Sequence, residues 1–520
     1  MLSQSTITKC TGFQKGSRNG YRARNVFDRA LHAPDLWQHA YLKRDDKPGN
    51  MTKGTDGLTI DGYSTDRAAN LRELLRENRS VPTPVRRVYI PKAHGKHRPL
   101  GIPGPHDQQV QEVWREILEA LYEPVCSERT HGFRPEKSCH TALDEIKHQW
   151  TGTKWFIEFD IEGFFDHIDH NILRQLLEKK IDDGKCLRVI TKMLEAGYME
   201  DWKFHQSLSG TPQGGIRSPI WANIYLHELD CFVETLLQDY DQGQERRLDT
   251  DDKALSYPIA VLTKKIQKLP RDSLERRERL EEKHAAQRRR LTISSSDQYD
   301  PDFRRVRYGR SADDFVLGVL GPKREAEAIM RKIEPLLYDT LKLNISRAKR
   351  GLKHHAEVIR FLGYDLRVNH DEKTRKMVVR GQPTKKRVGK GNMVLRVPAE
   401  RMQKVATERK YGNWETIKST HRPFLTNGSD AERTLHYATA MRGIAAYYAR
   451  ADHFSSGLRR LYVLWWSSYS KTMAHKDKTS TRKIASQLNR GGYTAVRTRL
   501  KNGEIKETKL FKLKDVKREQ

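Results

Sequence analysis

The sequence predicts an α+β protein in which antiparallel hairpins come first and a helical region follows. Three observations carry this expectation. Between residues 81 and 366, short alternating apolar runs flank turn-forming corners, as in VRYGRSADDFVLGVL at 306–320. Strong helical patterns lie among them, such as Val110, Val113, Trp114, Ile117, Leu118 and Leu121. Beyond a basic, turn-rich stretch at 376–398, the chain reads as long helices at 431–453 and 457–476.

The chain has 520 residues, enough for a sizeable core and for roughly two to four domains. Lys and Arg total 97 against 67 for Asp and Glu, a formal charge of +30 that points to a polyanionic partner. Charge alone does not separate RNA from DNA or from an anionic membrane surface. Without a run of about eighteen apolar residues, no bilayer-spanning helix is expected. Cys10, Cys126, Cys139, Cys186 and Cys231 are scattered and form no C-x-x-C pair, so neither a disulfide framework nor a zinc site is indicated. A reduced cytosol is the natural home, and basic residues with few acids before Asp28 are a weak pointer to an organellar matrix instead.

Residues 1–24 are polar and are expected to be loose; 25–80 form an N-terminal extension. Within it, 25–42 reads as a helix with Val26, Phe27, Leu31, Leu36 and Trp37 as apolar contacts. A Gly/Asp-rich loop with a short strand follows at 49–62, then an amphipathic basic helix at 66–79. At 86–103, Val88-Tyr89-Ile90 and Arg98-Pro99-Leu100 predict a hairpin tipped by Lys92, His94, Lys96, His97 and Arg98. Such clusters are usually solvated charge; the functional reading is a triphosphate clamp, with Lys as a point charge and Arg as a fork.

A core helix at 110–121 is followed by a loop and helix at 130–143, then by KWFIEFDI, an apolar strand delivering Asp160, and a helix at 172–177. In LSGTPQGGIRSPIWANIYLHELD, Gly214-Gly215 allows close backbone approach, and Ser218 and Pro219 suit the N-cap and first position of a helix. Helix N-termini and glycine turns seat phosphates, although a Gly-Gly turn alone is a weak signal. Residues 240–300 are charged and helix-forming, and are expected to be a basic insertion at the surface. A helix spans 325–341, and 358–366 reads as a short strand with a glycine kink.

A domain boundary falls between 368 and 391, within a basic linker at 367–425; 426–486 is expected to be helical. In that helical region Arg442, Tyr447, Arg450, Arg459, Arg460, Lys471 and Lys476 interleave with aromatics in a pattern that suits RNA binding. The competing reading, favoured for Trp465 and Tyr447, is an aromatic core under a solvated basic face. The basic tail, 487–520, alternates like a hairpin around Asn502-Gly503.

Asp313 and Asp314 stand at the corner of the 306–320 hairpin. Adjacent carboxylates repel, and a divalent cation is the economical counter-charge. With Asp160, three carboxylates from two strands suit a pair of Mg²⁺ ions, which prefer oxygen ligands and share them with substrate phosphates. The plainer reading is an ordinary acidic turn.

Taken together and in order, YIPKAHGKHRPLGIP, HGFRPEKSCHTAL, FDIEGFFDHIDH, LSGTPQGGIRSPIWANIYLHELD, RYGRSADDFVLG and FLGYDL resemble the reverse-transcriptase blocks of group II intron proteins. NVFDRALHAPDLWQHAY with TKGTDGLTIDG resembles that family's N-terminal extension. MRGIAAYYARADHFSSGLRRLYVLWW with SYSKTMAHKDKTS resembles its maturase region, domain X. The resemblance spans about 25–480 and is to the kind without an HNH endonuclease domain. It implies a right-hand polymerase, with fingers and palm over 81–366, the thumb starting within 367–425, and helical thumb and domain X over 426–486.

The resemblance also implies roles. Asp160 is the first palm carboxylate, Asp313 and Asp314 are the acidic pair, and Ile161 supplies backbone at the metal site. Phe165 excludes a ribose 2′-OH, Lys92 and Arg98 hold the incoming triphosphate, and Gln213 lies near nucleotide and template. The implied activity is target-primed reverse transcription plus assistance to splicing. A primer 3′-OH attacks a dNTP α-phosphate in line, with two Mg²⁺ ions about 3.5–4 Å apart. The implied partners are group II intron RNA, a DNA primer or target, and dNTPs, with no membrane; a homodimer is compatible.

Several positions depart from the family. Ser311 replaces the Tyr of the YADD box, Arg217 a small apolar residue and Phe159 a small residue; Ala348 and Arg350 break a Glu-Lys-Thr signature around Lys349. A lost ring contact at 311 could loosen the acids, and a shift of about 1 Å can cost 10²-fold in rate. The alternative is therefore a splicing maturase with weakened or lost polymerase activity. A domesticated host enzyme is a third reading, opposed by the maturase-like helices. Affinity for RNA should fall steeply with salt through counterion release; filter binding that is insensitive between low and physiological ionic strength would contradict this.

Overall fold

The computed structural model describes residues 3–45, 47, 50–61, 64–91, 97–207, 209–211, 215–297, 300–346, 350–369, 375–379, 382–386, 391–490, 494–499 and 504–516. The chain forms two compact units: residues 1–142, 155–243 and 302–353, and residues 143–154, 244–301 and 354–520.

The first unit contains two four-stranded sheets. One is ordered Arg305–Ser311, Asp314–Leu320, Trp155–Phe159, Gly351–His354. Alternation along 306–320 suggests one buried face. In the fold, every residue of the second hairpin strand after Asp314 is buried, because helices cover the sheet. Ser218–Tyr240 packs on the first hairpin strand and Lys323–Pro335 on Trp155–Phe159. The other sheet is ordered His97–Ile102, Val85–Pro91, Tyr198–Glu200, Lys203–His205. Its first two strands are the expected hairpin, antiparallel from Arg86↔Ile102 to Pro91↔His97. The helix predicted at 110–121 runs Pro105–Tyr122 and buries Val113, Trp114, Ile117, Leu118 and Leu121.

The N-terminal segment is not loose. Gln4–Arg18 is a helix capped by Ser3, whose Oγ accepts the Thr6 N–H at 3.3 Å. Ser3 N–H and Thr6 Oγ1 both donate to Asp35, at 2.7 and 2.8 Å, and Phe13 joins the core at 6 % exposure. These stabilising contacts are tertiary, and short helices depend on such packing rather than on propensity. The helix expected over 25–42 is two, Val26–Leu31 and Pro34–Asp45, because Pro34 cannot continue a preceding helix. No strand forms among the described residues of 49–62; Gly54 N–H instead bonds Leu58 O at 3.0 Å in a turn. The helix expected at 325–341 ends at Pro335 and gives way to a π-turn over Leu336–Thr340.

In the second unit the basic insertion is a helical hairpin, Thr250–Lys268 with Leu274–Arg290, tied by an Arg290–Asp252 ion pair at 3.0 Å. The apparent kinked strand at 358–366 is two strands, Ile359–Phe361 and Tyr364–Val368. They turn at Leu362-Gly363, both at positive φ (+45° and +71°). Met393–Arg396 adds a third strand to them. Beyond residue 391 the unit is therefore not wholly helical; Gly412–Asn413 and Lys418–Ser419 also pair. The helices are Ala399–Glu408, Asp430–Tyr447, Phe454–Lys476 and Thr481–Arg490. The tail pairs as expected, Thr494–Arg499 with Ile505–Lys509, while its Asn502-Gly503 corner lies outside the described residues.

Phe13→Ala should cost about 3 kcal/mol of stability in urea unfolding. A loss within error of zero would mean that the first helix is not part of the cooperative core.

Candidate active site

Ser311 and Asp314 are the last cross-strand pair of the hairpin, so Ala312 and Asp313 form its corner. Of those two only Ala312 has a positive φ, +59°. This matches a type II′ turn, whose first corner residue is normally glycine. An alanine there is strained by about 1 kcal/mol and must be held by its surroundings.

The surroundings are a buried ion pair. Arg310, 0 % exposed, donates from Nε and Nη2 to the two carboxylate oxygens of Asp230, at 2.8 and 2.6 Å. Its Nη1 donates to the Ala312 carbonyl at 2.9 Å and to Asn223 Oδ1 at 3.2 Å. Asp230, 1 % exposed, also accepts from Tyr308 Oη at 2.7 Å and Thr130 Oγ1 at 2.9 Å. Both charges are thereby saturated, as burial of a fork-on-carboxylate pair requires. Residues 129–132 run alongside: Arg310 N–H bonds Arg129 O at 3.0 Å, and His131 N–H bonds Arg310 O at 2.8 Å. Asn223 Nδ2 donates to Gly132 O at 2.9 Å. A Cβ on Gly132 would lie 2.3 Å from the Ala312 nitrogen, so glycine is what lets the loop touch the corner.

The third acid arrives on the neighbouring strand. Phe159 pairs with Phe315, their rings stacked at 5.1 Å, so the next residue brings Asp160 level with Asp314. The bulk of Phe159 is absorbed by that stack. Ser346 N–H bonds the Asp160 carbonyl at 2.8 Å and Glu162 N–H bonds Asn344 O at 2.9 Å. These bonds bracket Ile161 and leave its own carbonyl outside the pairing. Burial pushes the Asp313 carboxyl above its ordinary range, and the Asp160 charge adds to the effect; Arg98 and Arg310 pull it back. Among the described residues no three His, Cys, Asp or Glu side chains converge closely enough to enclose one ion. The three acids border an open site rather than a finished cage.

A cleft of ≈ 710 Å³ opens there, lined by Arg98, Phe133, Phe165 and Asp313, with Ile216 and Pro219. Phe165 follows Gly163, at φ +54°, and its carbonyl accepts the Thr211 N–H at 2.7 Å. The structure thus brings Asp160, Ile161, Asp313, Asp314, Arg98 and Phe165 to one end of the sheet. Lys92 and Gln213 lie outside the described residues, as do Ala348 and Lys349. Arg350 pairs with Glu334.

One expectation changes, and one departure from the family finds its place. Ser218 does not cap its helix; Arg217 holds the N-cap position and makes no side-chain cap bond. Nor does Arg217 line the cleft with Asp313. It is buried, with its guanidinium 4.5 Å from the Trp221 ring centre and Nη2 on the Met193 carbonyl. It borders a separate ≈ 470 Å³ cavity with Asp166 and Gly210. Burial pushes its pKa down to about 9, opposed by Asp107.

In the second unit, only Arg442 and Arg459 of the seven candidate RNA-binding side chains are both exposed and without an internal polar contact described below. Tyr447 Oη bonds Leu362 O at 2.7 Å and Arg450 pairs with Asp144 at 2.9 Å. Arg460 donates to Glu415 O at 3.1 Å and Lys471 to Ser419 O at 2.7 Å. Lys476 reaches Gly428 O and Asp430, both at 3.3 Å. Trp465 is core, its Nε1 bonded to Tyr437 O at 2.9 Å.

Sequence reasoning missed Arg310, Asp230, Asn223, Thr130, Gly132 and Phe133. A signal existed for three of them. Arg310 alternates with Val306 and Tyr308, and therefore points into the same buried face; Asn223 and Asp230, seven apart, share one helix face. Phe133, largely exposed and at φ +58°, carried no comparable pattern.

Residues 90–240 match the family described as reverse transcriptase (RNA-dependent DNA polymerase), and 390–517 match type II intron maturase. The group II intron-encoded protein LtrA of Lactococcus lactis subsp. cremoris is 37 % identical over 471 residues, 89 % of this chain and 76 % of that protein. The putative COX1/OXI3 intron 2 protein of Saccharomyces cerevisiae is 31 % identical, over 85 % of this chain and 51 % of its own. A solved telomerase from Candida albicans aligns at a TM-score of 0.38 and 10 % identity, over 80 % and 57 % of the two chains, too distant to carry an argument.

Asp230→Ala should destabilise the protein by about 3–5 kcal/mol in urea, since it strands the buried Arg310 charge. Thr130→Val, which removes one of four donors, should cost about 1 kcal/mol.

Proposed function

Because this chain belongs to the group II intron-encoded reverse transcriptase and maturase family, we propose that it copies RNA into DNA at the cleft lined by Asp313, with Asp160 and Asp314 on the neighbouring strand ends, and that it assists splicing of its intron RNA. The fold is the polymerase right hand joined to a maturase region. Fingers and palm would span 81–366, with thumb and domain X following. The observation that carries the reading is the Asp313 carboxyl, held half-buried against the charge of Asp160 at a corner locked from behind by Arg310.

The family implies dependence on a divalent metal, and the residues fit two Mg²⁺ ions. The donors are hard oxygens, and the charges of Asp160 and Asp313 repel while neither is closed into a protein cage. Mg²⁺ suits such a site because it keeps waters and takes substrate phosphate oxygens alongside one or two carboxylates. When bound, the ions would supply charge stabilisation for in-line phosphoryl transfer and activation of the primer hydroxyl.

The chain's own groups do the rest. Asp160, Asp313, Asp314 and the Ile161 carbonyl hold the metals. Arg98, with Lys92, neutralises the triphosphate of the incoming dNTP. Phe165 would fill the space a 2′-OH needs, and Gln213, outside the described residues, is the position that the family resemblance assigns to nucleotide and template. Arg442 and Arg459 offer exposed cations for the intron RNA backbone. The working place proposed is the bacterial cytosol; no helix among the described residues is long and apolar enough to cross a membrane.

Ser311 favours the second reading, a maturase with a silent polymerase. Against it, the corner is pinned by Arg310 and by the close approach of Gly132, neither of which involves a ring at 311. An active polymerase is therefore the better supported reading.

Primer extension on an RNA template tests it. Asp313→Asn should lose at least about a hundredfold in cDNA synthesis, as expected when a metal ligand is removed, with RNA affinity unchanged. Substantial residual extension would overturn the assignment. The raised pKa also fixes a sign. The ionised Asp313 opposes folding at neutral pH, and this cost vanishes as pH falls below the ordinary carboxylate range. Without metal at neutral pH, Asp313→Asn should therefore melt above the wild type, the gap closing on acidification. Mg²⁺ should raise the melting temperature of the wild type more than that of the variant.

A further inference from the structure

The hairpin formed by Tyr198–Glu200 and Lys203–His205 turns at Asp201 and Trp202, with φ of +48° and +63°. Two positive φ values make a type I′ turn, whose second corner residue is ordinarily glycine. A bulky side chain there is a genuine outlier, and such strain persists where the surrounding structure holds it. The strain earns nothing in packing: Trp202 is 92 % exposed, the most exposed large hydrophobic side chain among the described residues. Phe204, two residues on in the strand Lys203–His205, is 58 % exposed.

This hairpin forms one edge of the sheet whose opposite edge strand, His97–Ile102, carries Arg98 into the catalytic cleft. Three strand spacings separate the edges, about 14 Å. That is roughly four stacked nucleotides at ~3.4 Å each. Two exposed rings at one edge of the sheet whose other edge carries Arg98 suit unpaired bases, because every base presents a π-face. Asp201 beside Trp202 balances Lys203, so the tip contributes stacking rather than charge.

We propose that Trp202 is a stacking platform for an unpaired base of the RNA template, outside the catalytic cleft. The proposal rests on the reading of this chain as an RNA-copying enzyme. The full-length wild type is compared with Trp202→Ala, Trp202→Gly and Trp202→Phe, using an unstructured RNA oligonucleotide followed by fluorescence anisotropy over a range of salt. The Ala and Gly variants should bind about tenfold more weakly with an unchanged salt slope, and Phe should recover most of the loss. Trp202→Gly should melt no lower than the wild type, since glycine suits the turn, which separates lost stacking from lost folding. Unchanged affinity in both the Ala and Gly variants overturns the proposal, as does a loss that appears only as a shallower salt slope. Binding is read without dNTPs. A wild type that binds RNA but makes no cDNA would overturn the polymerase reading alone; one that extends primers while both variants bind normally would overturn the stacking platform alone.

Discussion

The acidic corner depends on one buried ion pair. Arg310 and Asp230 lie wholly inside the first unit, where unpaired charges would be very costly, and each is satisfied by the other and by neutral neighbours. The pair does more than cancel charge. One guanidinium nitrogen is left over from Asp230 and grips the carbonyl of Ala312, the residue whose backbone is strained. The helix Ser218–Tyr240 contributes both Asn223 and Asp230, so the acidic corner is fixed to a long helix rather than floating at a hairpin tip. Rigid support of this kind lets a turn hold reactive groups to within a fraction of an ångström.

Behind the corner the electrostatics are satisfied; in front they are not. Asp313 is pushed toward its neutral form by burial and by Asp160, opposed by a backbone hydrogen bond and by the cationic Arg98 and Arg310. A carboxylate left in this condition favours positive charge in front of it.

The second unit shows how far excess charge differs from available charge. The chain carries +30, yet Arg450, Arg460, Lys471 and Lys476 each make ion pairs or carbonyl contacts within their own unit. Their long stems and forks tie strands and helix ends together. Composition predicts a polyanion partner but cannot say which cations are left for it; exposure in the fold narrows the seven candidate side chains to Arg442 and Arg459.

The order of most elements, and the placing of three acids at strand ends, could be read from the residues alone. Hydrophobic period marked the core helix and the hairpins at 86–103 and 306–320, though not the one at 198–205, and the acids at 160, 313 and 314 stood out because strands deliver carboxylates to their ends. It misjudged elements whose stability is tertiary: the helix Gln4–Arg18, held by Phe13 and Asp35, and the strand Met393–Arg396, held by its neighbour. Only the tertiary structure decided that Arg310 is locked to Asp230, that Gly132 must be glycine, that Arg217 faces a different cavity and that Trp202 stands in solvent. The reason is physical. Periodicity reports which side of an element faces inward, whereas partners eighty residues apart, such as Arg310 and Asp230, meet only when the chain has closed around them.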